Sequence, residues 1–128
     1  MPITTITVAA PIPTNSRTLI VSPVSADANG QLLDFSALGY MGRVSLRNVG
    51  PNPVYIMVGA TATNFPTAAR AVGSVVGGVY VPGTFVVQAN EAFNFSDILF
   101  QRIGFICAAA QTAVLDVQAT QNSGGTGE

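Results

Sequence analysis

The sequence has no histidine, no lysine and no tryptophan, and it has a single cysteine. Without histidine the commonest general base near neutral pH is missing, and so is the usual zinc ligand. A Ser-His-Asp or Cys-His relay cannot be assembled from these residues. The lone Cys107 rules out a disulfide within the chain, and in the run IGFICAAA it reads as a small buried hydrophobe with no basic neighbour to activate it. Positive charge is confined to Arg17, Arg43, Arg47, Arg70 and Arg102, scattered without a basic stripe, so a nucleic-acid partner is not expected. Pro, Gly and polar residues interrupt every apolar run before it reaches the length of a membrane span, so no membrane partner is expected either. The first residues, MPITTITVAAPIPTNSR, lack the basic region and unbroken apolar stretch of a secretion signal. The expectation is a chain kept in solution or in an assembly.

Its 128 residues suit one domain. Hydrophobic residues make up 48% and charged residues only 9%, against roughly 25% charged in soluble domains. The exterior of a lone copy should therefore be apolar or dominated by Ser, Thr, Asn and Gln, with part of it covered by neighbours. A net charge of −1 sets up little repulsion between identical copies, which favours self-association.

Residues 1–16 hold Pro2, Pro11 and Pro13 around ITTITVAA, which forbids a helix and suits an extended arm. This arm is either a frayed terminus or a strand that pairs with a neighbouring subunit through Ile3, Ile6 and Val8. Residues 17–120 form the body and 121–128 a flexible tail. In the body, Thr18 to Ser22 reads as a short strand ended by Pro23, followed by a SADANG turn. QLLDFSALGYMG reads as a helical turn or an irregular crossing segment. RVSLRNV alternates Val44, Leu46 and Asn48 against Arg43, Ser45 and Arg47, and NVGPNP then reverses the chain into PVYIMVG, so a hairpin is expected there. Both faces of PVYIMVG are apolar, which predicts a central strand covered on both sides.

Residues 60–83 read as a long excursion from the sheet, a natural interface element. Within it TAARAV suits a brief helix and GSVVGGVYVPG a small hairpin around Gly77-Gly78. TFVVQ, AFNFSDILF, RIGFICAA and TAVLDVQAT supply further strands, the last alternating Leu115, Val117 and Ala119 against Val114, Asp116 and Gln118. Phe85, Phe93, Phe95, Phe100 and Phe105 read as core. The fold class expected is all-β, a small antiparallel β-sandwich or jelly-roll-like barrel with an extended N-terminal arm.

No cofactor or metal is expected, and no catalytic residue. Asp27, Asp34, Glu91, Asp97 and Asp116 lie near turns or on the wetter side of strands, a poor arrangement for a carboxylate pair acting on sugars. DANGQLLD places oxygens at Asp27, Asn29 and Asp34 but lacks the closing glutamate and flanking helices of a calcium loop, so it reads as a solvated turn. Gly73, Gly77 and Gly78 lack the lysine of a phosphate loop. The interface candidates are Ile3, Ile6, Val8, Arg43, Arg47, Tyr55 and Tyr80. Arg43 and Arg47 share a strand face and either meet carboxylates of an adjoining chain or stand solvated. Tyr55 and Tyr80 are a candidate rim for a ligand, weakened as a sugar platform by the missing tryptophan.

Three stretches, VSLRNVGPNPVYIMVG, VVQANEAFNF and RIGFICAAAQTAVLDVQAT, together covering roughly 43–120, resemble small β-sandwich virion proteins of tailed bacteriophages that decorate or cement capsids. The resemblance implies a non-enzymatic structural protein located in the virion and assembled in the host cytoplasm. Its implied partners are copies of itself and other virion proteins, such as a major capsid protein. In such proteins the turn at Asn48 to Pro53 and the segment at Glu91 shape the sandwich and are not catalytic. A receptor- or carbohydrate-binding module of a fibre or tail, and a minor capsid or head-tail component, remain open beside it.

Overall fold

Polar and apolar residues alternate along 41–51 and 113–121, and these two segments form the middle of a sheet in the computed structural model of the chain. The structure describes residues 3–8, 18–61, 63, 65–67, 73–81 and 83–121, with the side chains at 18–23, 76, 79–81, 95, 97 and 98 outside that description. The strands are β1 (Thr4–Thr7), β2 (Thr18–Ala26), β3 (Gln31–Asp34), β4 (Met41–Pro51), β5 (Val54–Val58), β6 (Ser74–Val76), β7 (Val79–Val81), β8 (Phe85–Val87), β9 (Ala92–Phe100), β10 (Arg102–Ile106) and β11 (Ala113–Gln121), with one 3-10 turn at Ser36–Leu38. They build a five-stranded sheet in the order β1-β3-β10-β5-β8, a four-stranded sheet in the order β2-β11-β4-β9, and a separate β6-β7 ribbon.

From β2 to β5 and again from β8 to β11, each strand lies in the opposite sheet from the one before it. Set face to face as β2-β11-β4-β9 and β3-β10-β5-β8, these eight strands wind as a jelly roll. The all-β sandwich expected from the sequence is thus the observed fold. The main apolar cluster lies between the sheets, with Val44, Leu46, Leu115 and Val117 from one side meeting Leu33, Ile56, Ile103 and Phe105 from the other.

Several local expectations are corrected. The turn after RVSLRNV does not close a hairpin: β4 pairs with β11 and β9, while β5 pairs with β10 and β8. Asn48 explains the tight crossing. Its buried side-chain amide donates to the Asn52 carbonyl at 2.8 Å and the Val87 carbonyl at 2.9 Å, and its Oδ1 accepts from the Gly50 N–H at 2.7 Å. The side chain thereby ties the end of β4 to the far sheet and holds Gly50 at a φ of 98, open to glycine at little cost. RIGFICAAAQTAVLDVQAT likewise divides between the sheets, with β10 in the five-stranded one and β11 in the four-stranded one.

Pro23 does not end β2, which runs on to Ala26. It is tolerated because β2 is an edge strand and the ladder to β11 shifts register between Leu115 and Val117, opposite residues 22 and 23. QLLD, read as irregular or helical, is the strand β3, and the helical turn begins only at Ser36.

The described part of the arm is not free. Residues Thr4–Thr7 pair in parallel with β3 of the same chain, fastened by Thr4 N–H to Gly30 O at 3.1 Å and Val8 N–H to Asp34 O at 2.8 Å. This satisfies the outer edge of β3, and Ile6 and Val8 extend the inner apolar layer. Residues 9–16 and the tail from 122 onward lie outside the described residues.

The 60–83 excursion also begins anchored. Ala60 and Phe65 pack with Leu32, Met57 and Ile3 in a second cluster on the outer face of the five-stranded sheet, so β5 is covered on both faces as expected. The hairpin at Gly77-Gly78 forms, with Val75 opposite Tyr80 and Val76 opposite Val79. Residues 68–72, most of the TAARAV segment that suits a brief helix, lie outside the described residues. Phe100 and Phe105 are core, but Phe85 is 46% exposed. Its ring meets that of Phe93 at 5.0 Å, across the side of the sandwich where the edge strands β8 and β9 run.

Candidate functional site

The outer face of the four-stranded sheet carries the densest group of functional side chains. On β4, Arg43, Ser45 and Arg47 point away from the core because Val44 and Leu46 point into it. The ladder sets Asp116 opposite Arg47, Gln118 opposite Ser45 and Thr120 opposite Arg43 on β11. On the other flank β9 sets Ala92 opposite Arg47, Asn94 opposite Ser45 and Ser96 opposite Arg43. The face is therefore polar and mostly uncharged, the second of the two exteriors that the low charge content allowed.

A groove of about 240 Å³ opens in this face, lined by Ser45, Arg47, Ala92, Asn94, Asp116 and Gln118 with Leu46 and Val117 beneath. Its shape follows from side-chain length. Ser45 and Ala92 are short and form a floor, while Arg47, Asn94, Asp116 and Gln118 stand around it. Opposite charges facing each other across a ladder usually pair. Arg47 and Asp116 do not, and among the described residues neither has an ion-pair or hydrogen-bonding partner for its side chain.

Arg43 and Arg47 are exposed on this face together, as the alternation in the sequence implied. The other candidates lie elsewhere. Tyr55 is on the outer face of the opposite sheet, half-buried between Val86 and Ile106. Tyr80 belongs to the separate β6-β7 ribbon, and its side chain is outside the description. Ile3 packs against the outer cluster that holds Phe65, and Ile6 and Val8 pack against the main core, each of the three partly buried in its own domain. Sequence reasoning did not group Ser45, Ala92, Asn94, Asp116 and Gln118 as one site. The signal was present in three alternating segments, but joining them requires the register between β9, β4 and β11.

Asp27, Asp34 and Glu91 serve local structure. Asp27 Oδ1 accepts from Asn29 N–H at 2.8 Å and from Gln31 Nε2 at 2.6 Å, and Gln31 Oε1 accepts from Asp27 N–H at 2.9 Å. The DANGQ segment is thus a turn closed on its own side chains. Asp34 Oδ1 accepts from Ser36 N–H at 2.8 Å and stands 3.6 Å from Arg102 Nε. Partial burial pulls the Asp34 carboxyl upward, but the hydrogen bonds from Ser36 and the charge of Arg102 outweigh it and leave it below its ordinary value. Glu91 accepts from Gln88 N–H at 2.8 Å in the turn that also offers its carbonyl to Asn48 N–H. Burial, with a smaller contribution from Asp27, pushes the Cys107 thiol up to about 11. Among the described residues no three acidic or cysteine side chains converge as a metal site.

No protein-family model matches this chain, and no curated protein matches it.

Proposed function

We propose that this chain is a non-enzymatic structural protein of a bacteriophage particle, of the kind that decorates or cements a capsid by bridging neighbouring subunits. The observation that carries the reading is the jelly-roll winding, an architecture used by virus shells, in a chain whose motifs resemble small phage virion proteins. One architecture hosts many functions, so the surface has to support the reading as well. Val75 at the tip of the β6-β7 ribbon is 68% exposed, and Leu99 and Tyr40, beside the paired Phe100 and Met41, are 58% and 51% exposed. These apolar groups favour contact with other protein. With Ile3, Ile6 and Val8 engaged in their own domain, the ribbon and the Tyr40–Leu99 end take over the clamping role.

The physical action is reinforcement by linkage. A protein that binds the closed shell and not its separated subunits adds its binding free energy to the work of opening. The partners are copies of the chain itself and a major capsid protein, in a particle assembled in the host cytoplasm.

The test is to add the purified protein to shells that lack it and to measure occupancy and the temperature of shell opening. Saturable binding and a raised opening temperature are expected, both reduced by Val75→Glu without loss of the domain's own Tm. A protein that stays monomeric and ignores both shells and other virion proteins would overturn the reading.

A further inference from the structure

We infer that the groove between Arg47 and Asp116 is a binding site for a neutral polyhydroxyl ligand, namely a sugar ring of a glycan. The inference does not rest on the virion reading and can stand or fall without it.

The chemistry of the walls selects the ligand class. Arg47 supplies only donors and Asp116 only acceptors, while Asn94, Gln118 and Ser45 supply both. A sugar hydroxyl donates and accepts at once, so neighbouring hydroxyls can satisfy both kinds of wall. A phosphate or carboxylate in the groove would face Asp116, and an ammonium group would face Arg47, so either single charge meets a repelling group. A neutral ring meets none.

The polar groups are also uncommitted. The chain has only five basic and six acidic residues, yet Arg47 and Asp116 stand opposite each other on the two central strands without pairing. A hydroxyl between them would receive from the guanidinium and give to the carboxylate, two charge-assisted hydrogen bonds of the stronger kind. The short Ser45 and Ala92 leave room for the ring, and the groove's volume of about 240 Å³ matches a site for one sugar unit rather than a long chain. Tyr55 lies on the other side of the sandwich, so aromatic stacking does not contribute and recognition falls to hydrogen bonds. An open site of this type binds weakly, on the order of millimolar for a monosaccharide.

The test is an amide-resolved NMR titration of the intact chain with glucose, galactose, mannose and N-acetylglucosamine, with inorganic phosphate as the anionic probe. At least one neutral sugar is expected to shift the amides of 45–47, 92–94 and 116–118. Asp116→Ala and Arg47→Ala should each weaken that sugar about tenfold or more. Arg43→Ala, on the same face but outside the groove, should leave it unchanged. All three positions are exposed, and an unchanged spectrum elsewhere verifies folding. The inference is overturned if no sugar shifts these amides, if phosphate alone does, if sugar shifts cluster around Tyr55, or if the Asp116 and Arg47 variants bind as the parent does.

Discussion

The ring of Phe65 fills the space that a side chain on Gly104 would need: a Cβ at Gly104 would stand 2.9 Å from Phe65 Cε1 and 2.8 Å from the Ala60 Cβ. Gly104 sits between Leu32 and Met57 across three strands of the five-stranded sheet, and Phe65 is laid over that row. Gly104→Ala should therefore lift the 60–67 segment and destabilise the domain by about 1–3 kcal/mol. Thermal unfolding of Gly104→Ala, Phe65→Ala and the double variant checks this. The double variant should lose less than the sum of the two single losses, because the contact with the ring is gone, while those with Ala60 Cβ at 2.8 Å and Pro66 Cδ at 2.9 Å keep part of the cost.

Asn48 is the buried fastener of the β4-to-β5 crossing. Asn48→Asp keeps its shape but replaces the amide that serves the Asn52 and Val87 carbonyls with a buried carboxyl. A loss of about 3 kcal/mol or more is expected at neutral pH. Burial raises the folded pKa of the new carboxyl above its unfolded value of about 3.9, so the variant is least impaired below that value and loses stability as pH rises through the folded pKa. Denaturant unfolding across the acid range checks both the size and the direction.

Cys107 should resist alkylation and disulfide exchange in the folded protein at pH 8 and react at once in denaturant, because the buried thiol is held neutral with its pKa pushed up to about 11. Between about 8.5, the ordinary thiol value, and 11 the unfolded chain ionises while the folded one does not. Alkaline pH in that window should lower stability, and Cys107→Ala should remove this part of the slope. Thiol titration with and without denaturant, followed by unfolding at alkaline pH, measures it.

Asp34 has its folded pKa lowered by Ser36 and Arg102. Its contribution to stability is complete above the unfolded value of about 3.9 and is lost as pH falls through the lower folded value. Asp34→Asn should lower stability in the neutral region and flatten the acid limb, because the stabilisation that wild type loses on acidification is already missing. Arg102→Ala should reproduce part of that flattening, since the pair is half-exposed.

Alternation made the strands around 44 and 115 legible, together with their inward and outward faces, because a half-buried strand writes its period into the sequence. The sheet each strand joins was not legible. Gly50-Pro51-Asn52-Pro53 signals a reversal, and the same signal serves a hairpin and a crossing between layers. The choice was made by Asn48 reaching the Val87 carbonyl, 39 positions away. Pro23 misled because proline is hostile to a ladder only where the ladder is regular and internal. The Phe65 slot had a signal that went unread: Gly104 inside an apolar strand marks a close approach. The groove depends on three segments lying in register, which no one of them encodes.

The alternating layers also govern when the molecule can form. β11 lies between β2 and β4, although β2 and β4 are made long before it. Until residues 113–121 have left the ribosome, both of those strands lack the neighbour that satisfies their amides, and the four-stranded layer cannot assemble. Folding must therefore follow synthesis of the whole domain instead of advancing with it. A search dominated by such distant partners runs on a timescale of roughly milliseconds to seconds.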